Sequence, residues 1–322
     1  MSWLLNTVLI SVCVFERVGW VEILNPSFLS TRFSNIYLVY KKFKKHTHMK
    51  KRGRPAKNAT PEQPVHIQID FSQITKLKDL NIDERMFDQM ESGLILDDLI
   101  SHEGGVPSAT NLMLFGDPGT GKTTLLLDLL ASVQLRNPER KCLFISGEMG
   151  KKQMFKYTQR FPQFGAVETL FVSDYTDHNT KDMIEQVLDL GWDLILIDSV
   201  AEVLEGVRND NGWDRKVAES WLVDTCVKNN KGENQTNKFS TFLLIQQVTK
   251  GGVFVGSNKM KHMVDAAAEI RREKESNGGG TYIMFNKNRN GMVDVKLYFQ
   301  LTGTQIVYSN IEARVEEEDD AE

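Results

Sequence analysis

The residues Gly116-Asp117-Pro118-Gly119-Thr120-Gly121-Lys122-Thr123 fill every fixed position of the spacing G-x-x-x-x-G-K-[ST]. That spacing suits a triphosphate. Glycines let backbone N–H groups curl around phosphate oxygens, the start of a following helix adds partial positive charge, and Lys122 extends an ammonium toward the β- and γ-phosphates. Thr123 then offers a hydroxyl to Mg²⁺, and Thr124 continues the cradle into the helix. A carboxylate is also needed at the metal. The apolar run Leu194-Ile195-Leu196-Ile197 ends in Asp198, which places that acid at the Mg²⁺ on the carboxyl edge of a parallel sheet. Ser199 follows it, so a carboxylate that activates water must come from another segment. The cofactors expected are ATP and Mg²⁺.

These groups need elements to hold them. Leu112 to Phe115 reads as a buried strand before the loop, and Thr124 to Leu130 as a helix after it. Lys141 to Ser146 reads as the next strand, ending at Gly147-Glu148-Met149. A helix containing Met154, Phe155 and Tyr157 follows, then a strand at Thr169 to Val172 and a helix through Met183, Ile184, Val187 and Leu188. Beyond Asp198, Thr241 to Ile245 forms a strand ending in Gln246 and Gln247, and Tyr282 to Phe285 forms another. Alternation from Val293 to Phe299 suggests a final strand that closes the core near Leu301. The expected fold is α/β, with a mostly parallel central sheet flanked by helices. Its core spans residues 111–303, after a lead-in over 65–110 that carries a strand or loop and one or two helices.

The chain has 322 residues and a formal net charge of -4, which gives no global nucleic-acid signal. Its charges are uneven, however. Lys50-Lys51-Arg52-Gly53-Arg54-Pro55 is basic and resembles an AT-hook: Gly53 allows close approach to a narrow A·T-rich minor groove, along which Arg52 and Arg54 extend. A solvated basic tail fits the same block equally well. Residues 49–64 therefore read as a basic tail and linker, and 304–322 as an acidic, self-repelling tail. Residues 1–48 read as a translated upstream extension, with Met49 as a second start, or else as a peripheral membrane or partner segment; their apolar run is too short to span a bilayer, and no stable membrane association is expected. Three dispersed cysteines offer neither a disulfide framework nor a four-cysteine zinc site, in keeping with a reducing cytoplasm.

Several segments resemble, in order, the ATPase core of the RadA/Sms family, and more distantly DnaB-type replicative helicases and RecA. They are Gly116 to Thr123 with Leu125-Leu126-Leu127, Ile145-Ser146-Gly147-Glu148, Leu196-Ile197-Asp198-Ser199, Val248-Thr249-Lys250, His262-Met263-Val264-Asp265 and Lys287-Asn288-Arg289-Asn290-Gly291. The resemblance runs from about Phe87 to Leu301. It implies a RecA-like fold in which Glu148 polarises the attacking water, Gln247 senses the γ-phosphate, and Lys287 and Arg289 reach the nucleotide of a neighbouring subunit. Two positions depart from RadA, which has histidine at Gln247 and phenylalanine at Asn290; RadA's zinc finger and Lon-like domain have no counterpart in the matched stretch. Lys250, Lys259 and Lys261, in a glycine-rich basic segment, are expected to neutralise DNA phosphates, and Val207 to Lys216 is a second candidate loop.

The function implied is a DNA-dependent ATPase of recombination, repair or replication, working as a homo-oligomer, with a hexameric ring expected, in the cytoplasm, or the host cytoplasm if phage-encoded. A DnaB-like helicase motor and a DNA-tethered ATP-binding switch are the alternatives. A P-loop kinase is disfavoured because no lid-like run of arginines is present.

Overall fold

In a computed structural model, residues 74–247, 258–273 and 279–312 are described. The described residues from Thr75 onward belong to one compact unit. After two 3₁₀ turns, β1 (Gln89–Met90) pairs antiparallel with β2 (Val106–Pro107) around a short helix, α1 (Leu96–Ile100). The lead-in thus contains the expected strand and helix.

The main sheet follows. It comprises β3 (Asn111–Gly116), β4 (Cys142–Ser146), β5 (Glu168–Phe171), β6 (Leu194–Asp198), β7 (Thr241–Gln247), β8 (Ala266–Glu273), β9 (Gly280–Asn288), β10 (Lys296–Leu301) and β11 (Ile306–Glu312). Their order is β11-β10-β9-β8-β3-β7-β6-β4-β5, and the six strands from β8 to β5 are all parallel. β9, β10 and β11 continue from β8 as an antiparallel meander. The sheet therefore extends past the expected close near Leu301: β11 adds an edge strand within the stretch read as tail.

Strict alternation along the central strands explains why both faces are covered. Leu112 and Leu114, Phe144, Leu194 and Leu196, and Leu243 and Ile245 face one apolar cluster; Met113, Ile145, Ile195 and Ile197, and Phe242 and Leu244 face the other. The first cluster takes α2 (Lys122–Arg136) and Met154 of α3 (Lys151–Arg160). The second takes α4 (Thr180–Asp189), α5 (Val200–Asn211), α6 (Arg215–Asn230) and Met260 of α7 (Asn258–Met263).

Local chemistry sets the helix starts. Asn179 accepts from Asp182 N–H at the head of α4, Ser199 from Glu202 N–H at the head of α5, and Asp214 from Val217 N–H at the head of α6. These caps correct one expectation. Val207 to Lys216 is not a loop: α5 runs to Asn211 and α6 begins at Arg215, because Gly212 takes the left-handed conformation with φ +63° and Asp214 restarts the helix at once. Arg208 and Arg215 pair along their own helices with Glu205 and Glu219. Likewise α7 begins inside the segment read as a loop through Lys261, since Met260 buries itself in the core. Cys142 and Cys226 are free and buried, and among the described residues no helix is long and apolar enough to cross a membrane.

Candidate active site

Four parallel strands end together at one edge of the sheet. Gly116 of β3 lies in register with Gln247 of β7, and Ser146 of β4 with Asp198 of β6. β7 separates the loop strand from the strand carrying Asp198. A crevice at the carboxyl ends of parallel strands is where α/β sheets bind ligands. Here a cavity of about 320 Å³ is lined by Lys122, Thr123, Glu148 and Asp198, with Pro118, Gly119, Gly121 and Thr124 forming its floor.

The loop's glycines have physical reasons. Gly121 has φ +96°, and a Cβ there would come within 2.5 Å of Leu301 Cδ1. Gly119 has φ +75° and open space around it, so the crown of the loop is bare backbone facing the cavity. Asp117 and Thr120 close the turn, with Thr120 Oγ1 donating to the Asp117 carbonyl at 2.9 Å.

Lys122 begins α2, and its ammonium donates to the carbonyls of Gly116 and Asp117, both at 2.9 Å. Burial pushes its pKa below the ordinary lysine value, against the pull of Asp198, Glu148 and Asp117. Thr123 donates its hydroxyl to Asp198 Oδ2 at 2.5 Å. Asp198 is 3% exposed. That burial raises its pKa to about 6; the Thr123 hydrogen bond and Lys122 oppose the rise, and Glu148 adds to it. The Asp198 carbonyl accepts from the N–H groups of Gly147 at 2.8 Å and Glu148 at 3.3 Å, so the segment carrying Glu148 is stitched to the end of β6.

These residues fit a magnesium-bound triphosphate. Hydroxyl and carboxylate oxygens form the hard donor set that Mg²⁺ prefers. Three carboxylates, Asp117, Glu148 and Asp198, act electrostatically on one ammonium, an excess of negative charge that a divalent cation offsets. The crown of bare backbone N–H groups offers phosphate a cradle.

Five wall residues lie outside the nucleotide motifs: Met149, Tyr157, Arg160, Ile245 and Leu301. Tyr157 and Arg160 lie one turn apart on α3, so their shared face is recoverable from spacing. Leu301 comes from a distant strand, and no local signal marks it. Arg160 also donates to the carbonyls of Thr302 and Gly303, joining α3 to the β10–β11 turn.

Lys287 and Arg289 are not at this cavity. In β9, Lys287 pairs with Ala267, which in turn pairs with Met113 near the start of β3, so both cations sit at the opposite edge of the sheet. Ala266, beside Asn288, is level with Leu112, four strand positions before Gly116, or about 13 Å along the strand. Between the two cations, the Asn288 amide donates to the Leu99 and Ile100 carbonyls and docks the turn on the end of α1. Asn290, where RadA has phenylalanine, accepts through its carbonyl from His102 N–H.

Residues 96–252 match a family model described as an AAA domain. The chain is 31% identical over 172 residues to the DNA repair protein RadA of Listeria monocytogenes, covering 53% of this chain and 35% of that one. It is 28% identical over 192 residues to DNA repair protein RadA of Mycobacterium tuberculosis, covering 59% and 37%. A KaiC-like protein from Pyrococcus horikoshii superposes with a TM-score of 0.53 at 17% identity, covering 70% of this chain and all of that one. The core resembles that of RadA in sequence, and its fold is RecA-like. Its architecture is that of a P-loop NTPase, as the loop and the sheet order lead one to expect. The chain spans only about a third of the length of these curated relatives, 35% and 37%. Of the polynucleotide contacts expected on this RecA-like core and its tail, Arg52, Gly53, Arg54 and Lys250 lie outside the described residues, while Lys259 and Lys261 fall on α7.

Proposed function

We propose that the chain binds Mg·ATP in this cavity and hydrolyses it at junctions between copies, as a DNA-dependent ATPase of recombination, repair or replication. The observation that carries the reading is the separation of two half-sites. Lys122, Thr123, Glu148 and Asp198 converge at one edge of the sheet, and Lys287 and Arg289 stand at the other. Neither half serves hydrolysis alone.

Lys122 turns its ammonium from the loop carbonyls to the β- and γ-phosphate oxygens. Thr123 and Asp198 would hold Mg²⁺, which when bound would supply neutralisation of the triphosphate's charge. Glu148 orients the attacking water and takes its proton. Gln247, level with Gly116 at the end of β7, reports the γ-phosphate to the segment that begins at Val248. Tyr157 and Leu301 offer apolar wall to the base. From a neighbouring copy, Lys287 and Arg289 stabilise the charge that develops on the transferred group, an effect worth about 10³ to 10⁵ in rate for a trans-acting arginine. Residues 250–261 contact DNA phosphates, and Arg52 and Arg54 tether the chain to DNA. The curated relatives' name, DNA repair protein, supports this choice of polymer and of process. Copies assemble head to tail, in a ring, in the cytoplasm.

ATP hydrolysis with and without single-stranded DNA tests the reading. Lys122→Ala should lose nucleotide binding, Glu148→Gln should bind without turnover, and Arg289→Ala should assemble but turn over slowly. A monomer that hydrolyses ATP at full rate whatever polynucleotide is added would refute it.

A further inference from the structure

Two consecutive residues hold the two cations at the foot of the sheet. Lys287 Nζ donates to the Val264 carbonyl at 2.5 Å, and Arg289 Nη1 donates to Asp265 Oδ1 at 2.8 Å. The backbone N–H of Arg289 also donates to the Asp265 carbonyl at 3.2 Å.

Asp265 is itself fixed. Its Oδ2 accepts from Asn111 N–H at 3.0 Å, and its own N–H donates to the Asn111 carbonyl at 2.8 Å. Asn111 opens β3, the strand whose last residue, Gly116, opens the phosphate loop. The Asp265 side chain is 19% exposed and that of Arg289 61%. A sheltered carboxylate thus grips one corner of a guanidinium that otherwise projects outward. An exposed ion pair of this kind does little for stability, whereas an aimed guanidinium matters greatly to a reaction that depends on placement.

We propose that Asp265 is the positioning residue for Arg289: it aims the guanidinium at a neighbouring copy's nucleotide and ties it to the strand that carries this copy's own phosphate loop. The inference rests on the shared-site reading above and names what organises its second half. Asp265 touches no nucleotide. It acts through Arg289, and its loss should therefore change turnover and leave nucleotide binding alone.

The test uses Asp265→Asn, which keeps an acceptor for Asn111 N–H and removes the charge that orients the guanidinium, with Asp265→Ser as a second variant. Each should lower kcat about 10- to 100-fold, with KM for ATP and the assembly size in sedimentation unchanged. The double variant Asp265→Asn with Arg289→Ala should be no slower than Arg289→Ala alone. Mixing Asp265→Asn with Glu148→Gln subunits should restore turnover, because one class of junction then pairs an intact Glu148 with an intact Asp265–Arg289 pair. A variant damaged in its own nucleotide site through β3 would not be rescued in this way.

Wild-type kcat in both variants, or a defect that mixing leaves in place, overturns the proposal. The control is a mixture of Arg289→Ala with Glu148→Gln. If the control stays inactive, the shared-site reading falls and this inference with it. If the control recovers and the Asp265 mixture does not, only the positioning role falls.

Discussion

Ionisable side chains buried along α2 show what individual residues cost this protein. Asp128, 7% exposed, accepts from the Gln163 amide at 2.9 Å. Burial raises its pKa above the ordinary 3.8, against the Gln163 hydrogen bond. Because the folded-state value lies above the unfolded one, the folded chain binds the proton more tightly. Stability from this group is full below the unfolded value, declines as pH rises toward the folded value, and then levels off. Asp128→Asn keeps the acceptor and removes the charge, so it should raise the melting temperature at pH 7 by a few degrees, roughly 2–4 °C per kcal/mol for a chain of this size, and by much less at pH 4, just above the unfolded value, where most of the decline has yet to occur. Thermal melts at the two pH values decide; a less stable variant at pH 7 would sink the account. At this scale the sequence was most informative where chemistry demands a fixed spacing. Lys122, Thr123, Glu148 and Asp198, drawn from three separate motifs, line one cavity. Leu301 escaped notice because it reaches the phosphate loop at Gly121 from a strand far along the chain, and register is a property of the sheet.

Among the elements, the junction between β6 and α5 separates catalytic from structural roles. Ser199 directly follows the buried Asp198, yet its hydroxyl accepts from Glu202 N–H and its place is that of a helix cap. Ser199→Ala should cost about 1 kcal/mol of stability while kcat stays near wild type, which denaturant titration and a steady-state assay would show together. A large loss of kcat in a fully folded variant would give the hydroxyl a chemical role instead. Elements with clear periodicity, such as α2 and the central strands, were legible in the sequence. The turn at Gly212 was not, because Val207 to Lys216 is rich in charge and reads as solvated chain when Gly212 and Asp214 are taken as loop residues. As a C-terminal stop and an N-cap they instead end one helix and start the next within three residues. β11 was hidden for a related reason: its strand alternation is short and runs straight into an acidic stretch.

For the whole molecule, the decisive fact is polarity. The nucleotide cavity opens at one edge of the sheet and the Lys287–Arg289 turn at the other, so copies joined through them make a head-to-tail contact and not a twofold one. Turnover per chain should then rise with protein concentration through the range in which sedimentation shows assembly, and dilution should reverse it. Turnover per chain that stays constant across that range would argue for a self-sufficient protomer. The mostly parallel order of the sheet was foreseeable from alternating strands and helices. The distance between the two half-sites was not, because it depends on β9 running antiparallel to β8.

On the shared-site reading, geometry then fixes a count. An open row of n copies has n − 1 finished junctions, with one phosphate loop left waiting at its end, whereas a closed circle has none left over. Growth of a row would bring each newcomer's capacity into use on arrival, and closure would recruit the last idle copy. A single inactive subunit would silence one junction by its loop or a different one by its arginine, according to which end of β3 was damaged.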